Sequence, residues 1–161
     1  MSLSIHRLKS VLRYEPETGL FFWRKTLGSK GVAGSEAGTD SHGYLAIRID
    51  KKLYLAHRLA WFYVNCEWPS ILDHKDRDRR NNRITNLRLA THSENKANRS
   101  APSNNSSGIK GVSFNKQMRK WQASICKQYK QNHLGFFSSK EGAAEAYRTA
   151  AVKLFGEFAA P

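Results

Sequence analysis

The sequence is short of several things, and each shortage narrows what the chain can be. It has two cysteines, Cys66 and Cys126, far apart and with no Cys-x-x-Cys pair. That argues against a structural zinc site, and a disulfide between them would fit a cytosolic protein poorly. No apolar run approaches the roughly 18 residues of a membrane span, and no apolar signal-peptide core follows Met1. The expectation is a cytoplasmic protein with no membrane role. Acidic residues are scarce: 13 Asp+Glu stand against 27 Lys+Arg, a formal charge of +14. A polyanion is the default partner of such a chain. At 161 residues the chain predicts one domain, or two small ones.

What the sequence does have is concentrated in residues 71–99, ILDHKDRDRRNNRITNLRLATHSENKANR. Ile71 and Leu72 follow Pro69, so Asp73 and His74 fall at the end of a short strand. Residues 76–82 (DRDRRNN) are too polar and turn-rich for a core and read as a loop. Ile84, Leu87 and Leu89 return the chain into a second short strand. Thr91 with Glu94 three residues later forms a capping box, opening a helix from His92 to about Arg99. Asp73-His74, Asn86 and Asn95 thus come from strand, strand and helix, the last two separated from His74 by twelve residues and then nine more.

That set suits phosphodiester hydrolysis. The Asp73 carboxylate and the Asn95 side-chain carbonyl supply two oxygen ligands to a hard divalent cation, with phosphate and water completing the shell. A neutral His74 takes the proton of an attacking water. Asn86 holds the loop, or the His74 ring, by hydrogen bonds. At these residues the chain resembles the HNH endonucleases of phage and intron-encoded homing type. The resemblance rests on Asp73-His74-Lys75-Asp76, on Arg83-Ile84-Thr85-Asn86-Leu87-Arg88 and on Glu94-Asn95. It implies His74 as general base, Asp73 and Asn95 as metal ligands, and Asn86 as a structural member of the catalytic set. It also implies one divalent cation, Mg2+ before Mn2+. Asn95 stands where other members carry His, so the pattern is better written H-N-N, and the case for a softer metal falls away.

The residues before this stretch read as its scaffold. Ile5, Leu8, Val11 and Leu12 mark a helix over 4–13, followed by a turn at 15–19 and a strand at Leu20–Trp23. The five glycines of 28–43 predict a mobile loop. Residues 44–49 and 53–55 form a hairpin, and 57–64 an aromatic-rich helix in which His57 is expected to be buried or to brace a loop. The family reads Gly where Cys66 stands, a departure expected to bear on the turn.

Residues 99–108 have linker composition. Beyond them Val112 and Phe114, then Trp121, Ala123 and Ile125, then Leu134 and Phe136 predict a three-stranded antiparallel meander, with turns at 116–120 and 127–132. Ser138-Ser139-Lys140-Glu141 offers a capping box, and Ala143, Ala144, Tyr147, Ala150, Ala151, Leu154 and Phe155 give a helix at 3.6-residue spacing. Residues 108–138 carry six Lys/Arg and no acid, so the exposed face is expected to meet DNA. The unit resembles the plant ethylene-response-factor (Apetala-type) DNA-binding domain at Gly108-Ile109-Lys110-Gly111-Val112, Lys120-Trp121-Gln122-Ala123, His133-Leu134-Gly135-Phe136-Phe137 and residues 141–147. Position by position, the resemblance implies DNA contacts at Lys110, Ser113, Asn115, Ser124 and His133. Lys116 and Arg119 are added as basic residues of the same face, and Arg88 as a phosphate contact. Several family arginines are not matched here, so a target preference does not transfer.

The sequence therefore predicts an α+β protein in three parts. An HNH region spans 1–98, with a ββα-metal core at about 69–98; a linker covers 99–108 and a sheet-type DNA reader 109–161. The expected function is metal-dependent endonuclease cleavage of double-stranded DNA in the host cell of a phage or mobile element, with no obligate protein partner. The rival is a non-catalytic DNA-binding regulator, against which intact Asp73, His74 and Asn95 argue. A second rival, an RNA-directed protein, would call for aromatics on the exposed strand face, and most of those here read as core.

Overall fold

The structure, a computed structural model, describes residues 3–28 and 31–160 and divides into two compact units, Met1–Leu89 and Ala90–Pro161. It is a mixed helix-and-sheet fold with small antiparallel sheets. Among the described residues no helix is long and apolar enough to cross a membrane.

The first unit begins with α1 (Ile5–Val11), whose Ser4 side chain caps the Arg7 amide at 3.1 Å. The helix stops one residue short of Leu12, which opens β1 (Leu12–Glu15) and pairs with Trp23 of β2 (Leu20–Trp23). Sequence periodicity placed Leu12 in the helix because its buried side serves either element equally well. Of the loop expected at 28–43, Ser29 and Lys30 lie outside the described residues. The part after them is tied down: Gly34 and Ala37 amides donate to the Trp23 and Phe21 carbonyls, and Ala37 is fully buried. β3 (Thr39–Ser41) then joins β4 (Tyr44–Ile49) and β5 (Lys52–Leu55) in a sheet of order β3-β4-β5.

α2 (Ala56–Asn65) packs on that sheet and ends at Cys66, which takes the left-handed conformation (φ 57°) that normally selects glycine. Leu8, Val11, Leu12, Phe21, Ile47, Ile49 and Leu59 form the centre of the core. Trp68 stacks on Phe62 at 4.3 Å and on Tyr54 at 5.8 Å, closing the segment that leads into β6 (Leu72–His74). After a loop and a turn of 3-10 helix, β7 (Leu87–Leu89) pairs antiparallel with β6.

The second unit starts with α3 (His92–Ala97), closed by the expected capping box between Thr91 and Glu94. β8 (Val112–Asn115), β9 (Lys120–Lys127) and β10 (Lys130–Phe137) form a three-stranded sheet packed on α4 (Lys140–Phe155). Ala97 of α3 belongs to the same apolar cluster as Val112, Ala123, Ile125 and Tyr147. The 99–108 segment is ordered from Asn105 onward: the buried Ser107 hydroxyl donates to the Val112 carbonyl at 2.7 Å, and Asn105 Nδ2 donates to the Ile109 carbonyl.

Two local expectations change. The turn between β9 and β10 is only Gln128-Tyr129, both at positive φ, so the strands run longer than their composition suggested. α4 is capped by Ser139 accepting from the Gly142 amide, so Glu141 is not the partner of a capping box.

Candidate active site

β6 carries Asp73 and His74, and both are buried. Their placement starts upstream: Arg58 on α2 donates to the carbonyls of Pro69 and Ser70, fixing the chain just before the strand. Register then sets Asp73 opposite Arg88 and His74 opposite Leu87. The Arg88 Nε and Nη2 both lie 2.9 Å from Asp73 Oδ2, in an ion pair whose side chains are only 10% and 5% exposed. Arg88, expected to reach a phosphate, is engaged with the carboxylate instead.

The loop between the strands is braced by Asn86. Its Nδ2 donates to Asp76 Oδ1 (2.9 Å) and to the Asn81 carbonyl (2.8 Å), and its Oδ1 accepts from the Asp76 amide. Burial pushes the Asp76 carboxyl up, but hydrogen bonds from Asn81, Asn86 and the Asp78 amide outweigh it and hold the group below its ordinary range. Asn86 therefore acts on the loop.

Asn82, in the stretch that composition predicts to be a polar loop, reaches the His74 ring. Asn82 is 1% exposed, and its Oδ1 lies 3.3 Å from His74 Nε2. Its Nδ2 donates to the Arg80 carbonyl at 3.1 Å, which fixes the amide so that oxygen faces the imidazole. With the amide so oriented, a neutral His74 that donates to Asn82 would carry its proton on Nε2 and its lone pair on Nδ1. The first hairpin holds this arrangement in place. Tyr14 of β1 donates its hydroxyl to the Asn82 carbonyl at 2.7 Å, and burial pushes that phenol up to about 12. Gly19, at the hairpin tip with φ 76°, lies so close that an added Cβ would sit 2.5 Å from the Arg83 nitrogen.

His57 stands edge-on to His74 with ring centroids 5.0 Å apart, and Tyr44 lies 5.4 Å from His57 and 6.3 Å from His74. His57 is buried, with no hydrogen-bond partner for Nδ1. Desolvation, then the neighbouring His74 and Arg58, depress its pKa to about 3. Burial lowers the His74 pKa as well, against the opposing pull of the Asn82 hydrogen bond and of Asp76, Asp73 and Asp78. Both rings are neutral near pH 7, the state a proton acceptor needs. His57 and Asn82 each lacked a sequence signal: a lone histidine on a helix and an Asn-Asn pair in a loop look the same whether or not they meet a catalytic ring.

Asn95 is half-buried on α3 and belongs to the second unit. Among the described residues no three His, Cys, Asp or Glu side chains are grouped as in a fully protein-ligated metal site. The donors expected at the site are all oxygens, carboxylate and amide, which fits a hard cation that keeps water and phosphate in its shell.

In the second unit, strand register and burial separate two faces of the sheet. Val112, Ala123 and Ile125 are buried on the α4 side, and Ser113, Asn115, Gln122, Ser124, Gln131 and His133 alternate onto the other. Four of the expected contact residues, Ser113, Asn115, Ser124 and His133, thus share one open face. Lys116 and Arg119 are exposed in the turn beside it. Lys110 lines one pocket with Ser124, and its ammonium donates to the carbonyls of Lys96, Ala97 and Arg99, capping the end of α3. A bulge between His133 and Gly135 shifts the register of β10, turning Phe136 out onto the open face, 37% exposed, where alternation had placed it in the core.

Comparison with known proteins bears on this site directly. The HNH endonuclease family model matches residues 54–97, from β5 through α3. The chain is 34% identical over 114 residues to Protein 3.8 of Escherichia phage T7, an alignment covering 68% of this chain and 93% of that protein. It is 39% identical over 90 residues to an uncharacterised HNH endonuclease of Acanthamoeba polyphaga mimivirus, covering 56% of this chain and 46% of that one. No solved structure matches.

Proposed function

Because this chain belongs to the HNH endonuclease family, we propose that it hydrolyses phosphodiester bonds of double-stranded DNA with His74 as the general base. The observation that carries the reading is the His74–Asn82 pair: a buried imidazole whose Nε2 lies 3.3 Å from the oxygen of an amide that is itself bonded to the Arg80 carbonyl.

His74 Nδ1 accepts a proton from water as the water oxygen attacks phosphorus, and the P–O3′ bond breaks with the 3′ oxygen taking a proton from solvent. Asn82 keeps Nε2 protonated, and Asn86 holds the 76–81 loop so that the ring is not displaced. Asp73 would supply a carboxylate oxygen to a divalent cation, Mg2+ first, and the family resemblance implies the Asn95 amide oxygen as a further ligand. Such an ion supplies charge stabilisation to the phosphate and to the leaving oxygen. Arg88, in its ion pair, orients the Asp73 carboxylate. The second unit acts as the DNA reader, holding the nuclease on its substrate through the open sheet face and the basic turn beside it. A homing or phage role fits this plan.

Cleavage of supercoiled plasmid by the full chain, in Mg2+ and in EDTA, tests the reading. The expected result is nicked or linear product that requires the cation and is lost in Asp73→Ala and Asn95→Ala. Binding of target-bearing plasmid without cutting in any divalent cation would instead favour a non-catalytic DNA-binding regulator.

A further inference from the structure

The open face of the second sheet carries side chains of a particular chemistry. On β8 are Ser113 and Asn115, on β9 Gln122 and Ser124, on β10 Gln131, His133 and Phe136. They form a hydrogen-bonding ladder: Gln131 Nε2 donates to Ser124 Oγ at 3.2 Å, and Gln122 Nε2 lies 3.5 Å from His133 Nδ1. Phe136 packs against the His133 ring with centroids 4.7 Å apart and keeps much of its own ring exposed. Positive charge is absent from the centre of this face. It sits at one end, with Lys116, Arg119 and Lys120 at the β8–β9 turn, all exposed.

Base-edge chemistry gives that pattern a meaning. Three strands place about 10 Å between the outer backbones, within the roughly 12 Å of a major groove. In that groove guanine is read chiefly by Arg or Lys, adenine by the paired donor and acceptor of Asn or Gln, and thymine by apolar contact with its methyl group. The strands place two glutamines and a phenyl ring at the centre of this face and no cation of their own; Lys96 and Lys110 line one pocket with Ser124 and Gln131 at its margin, Lys110 being engaged with the carbonyls at the end of α3. The cations at the β8–β9 turn are placed for phosphates, which position the protein without reading sequence.

We propose that the open sheet face reads A·T base pairs in the major groove, with Gln122 and Gln131 to adenine and Phe136 against a thymine methyl. This rests on the assignment of the second unit as a DNA reader. It adds a target preference set by this chain's own side chains.

The experiment is selection of bound duplexes from a random-sequence pool by full-length His74→Ala protein in EDTA, followed by affinity measurements on the selected site. An A·T-rich core is expected. Replacing its thymines by uracil should weaken wild-type binding about fourfold per contacted base, the worth of one buried methyl group, and should leave Phe136→Ala unaffected. Gln122→Ala or Gln131→Ala should relax selection at one position and cost at least about fivefold in affinity.

A G·C-rich core, an absence of base preference, or equal sensitivity of Phe136→Ala to uracil would overturn the proposal. In each of those cases loss of affinity in the sheet-face variants would leave the reader assignment standing. Unchanged duplex affinity in all three variants, or stronger binding to single-stranded or hairpin RNA, would overturn that assignment and the proposal with it.

Discussion

A buried imidazole serves as a base only if its proton is on the nitrogen turned away from the attacking water. In the proposed mechanism one amide, that of Asn82, sets this condition, and Asn82→Ala removes it. The expected outcome is a single-turnover cleavage rate down by about tenfold or more, with little change in DNA affinity, since Asn82 orients the base and is buried away from solvent. His57 gives a second residue-scale expectation, on stability. Its folded pKa of about 3 lies below the unfolded value near 6.5. Between those pH values the unfolded chain binds a proton that the native one does not, so stability is complete above about pH 6.5 and falls as pH drops toward 3. The slope is up to about 1.4 kcal/mol per pH unit. Urea denaturation between pH 4 and 7 should show His57→Phe losing less stability on acidification than the wild type, by about one proton. Asp73, His74 and Asn86 stand out in the sequence as candidates because the proposed chemistry constrains both their type and their spacing. Asn82 and His57 do not, because what selects them is proximity in space: Asn82 is held by Tyr14 from sixty-eight positions away, and His57 meets His74 only once α2 has packed.

At the scale of elements, two backbone positions make opposite predictions. Cys66 ends α2 in a left-handed conformation, where a Cβ costs about 1 kcal/mol. Cys66→Gly should raise the unfolding free energy by about 0.5–1 kcal/mol, read as an increase in the chemical denaturation midpoint at unchanged slope. Gly111 has φ 72°, and a Cβ there would lie 2.2 Å from the Tyr147 ring. Gly111→Ala should lower stability by about 2–4 kcal/mol through strain and overpacking. The helices and hairpins announced themselves where one face is apolar and the ends are capped, as at Thr91–Glu94 and in the alanine-faced α4. The errors have a common origin. Alternation predicts Phe136 in the core, and a bulge breaks it; composition predicts a mobile loop at 28–43, although the Gly34 and Ala37 amides bond to the first hairpin.

For the whole molecule, charge dominates. A chain of +14 that neutralises about six phosphates should lose duplex affinity with a log–log salt slope near −5. Replacing Lys116, Arg119 and Lys120 together by Ala should flatten that slope by about 2–3 while leaving base preference intact, as a filter-binding titration from 50 to 200 mM salt would show. The change of composition after Arg99 suggests a linker at 99–108; by contacts the compact units divide between Leu89 and Ala90. Composition follows solvent exposure, and α3 has one apolar residue, Ala97, to mark its side; contacts of Ala97 and of the Lys96, Ala97 and Arg99 carbonyls place it with the second sheet.

The central claim is that His74 is the base, and the most direct measurement is the single-turnover rate of DNA cleavage in Mg2+ by wild type and His74→Ala across pH 5 to 8. The expected result is a loss of about 10^2- to 10^4-fold in the variant. The wild-type acid limb should fall below the ordinary imidazole value of about 6.5, because burial favours the neutral ring. A variant that cuts within about threefold of wild type, with the same acid limb, would contradict the claim.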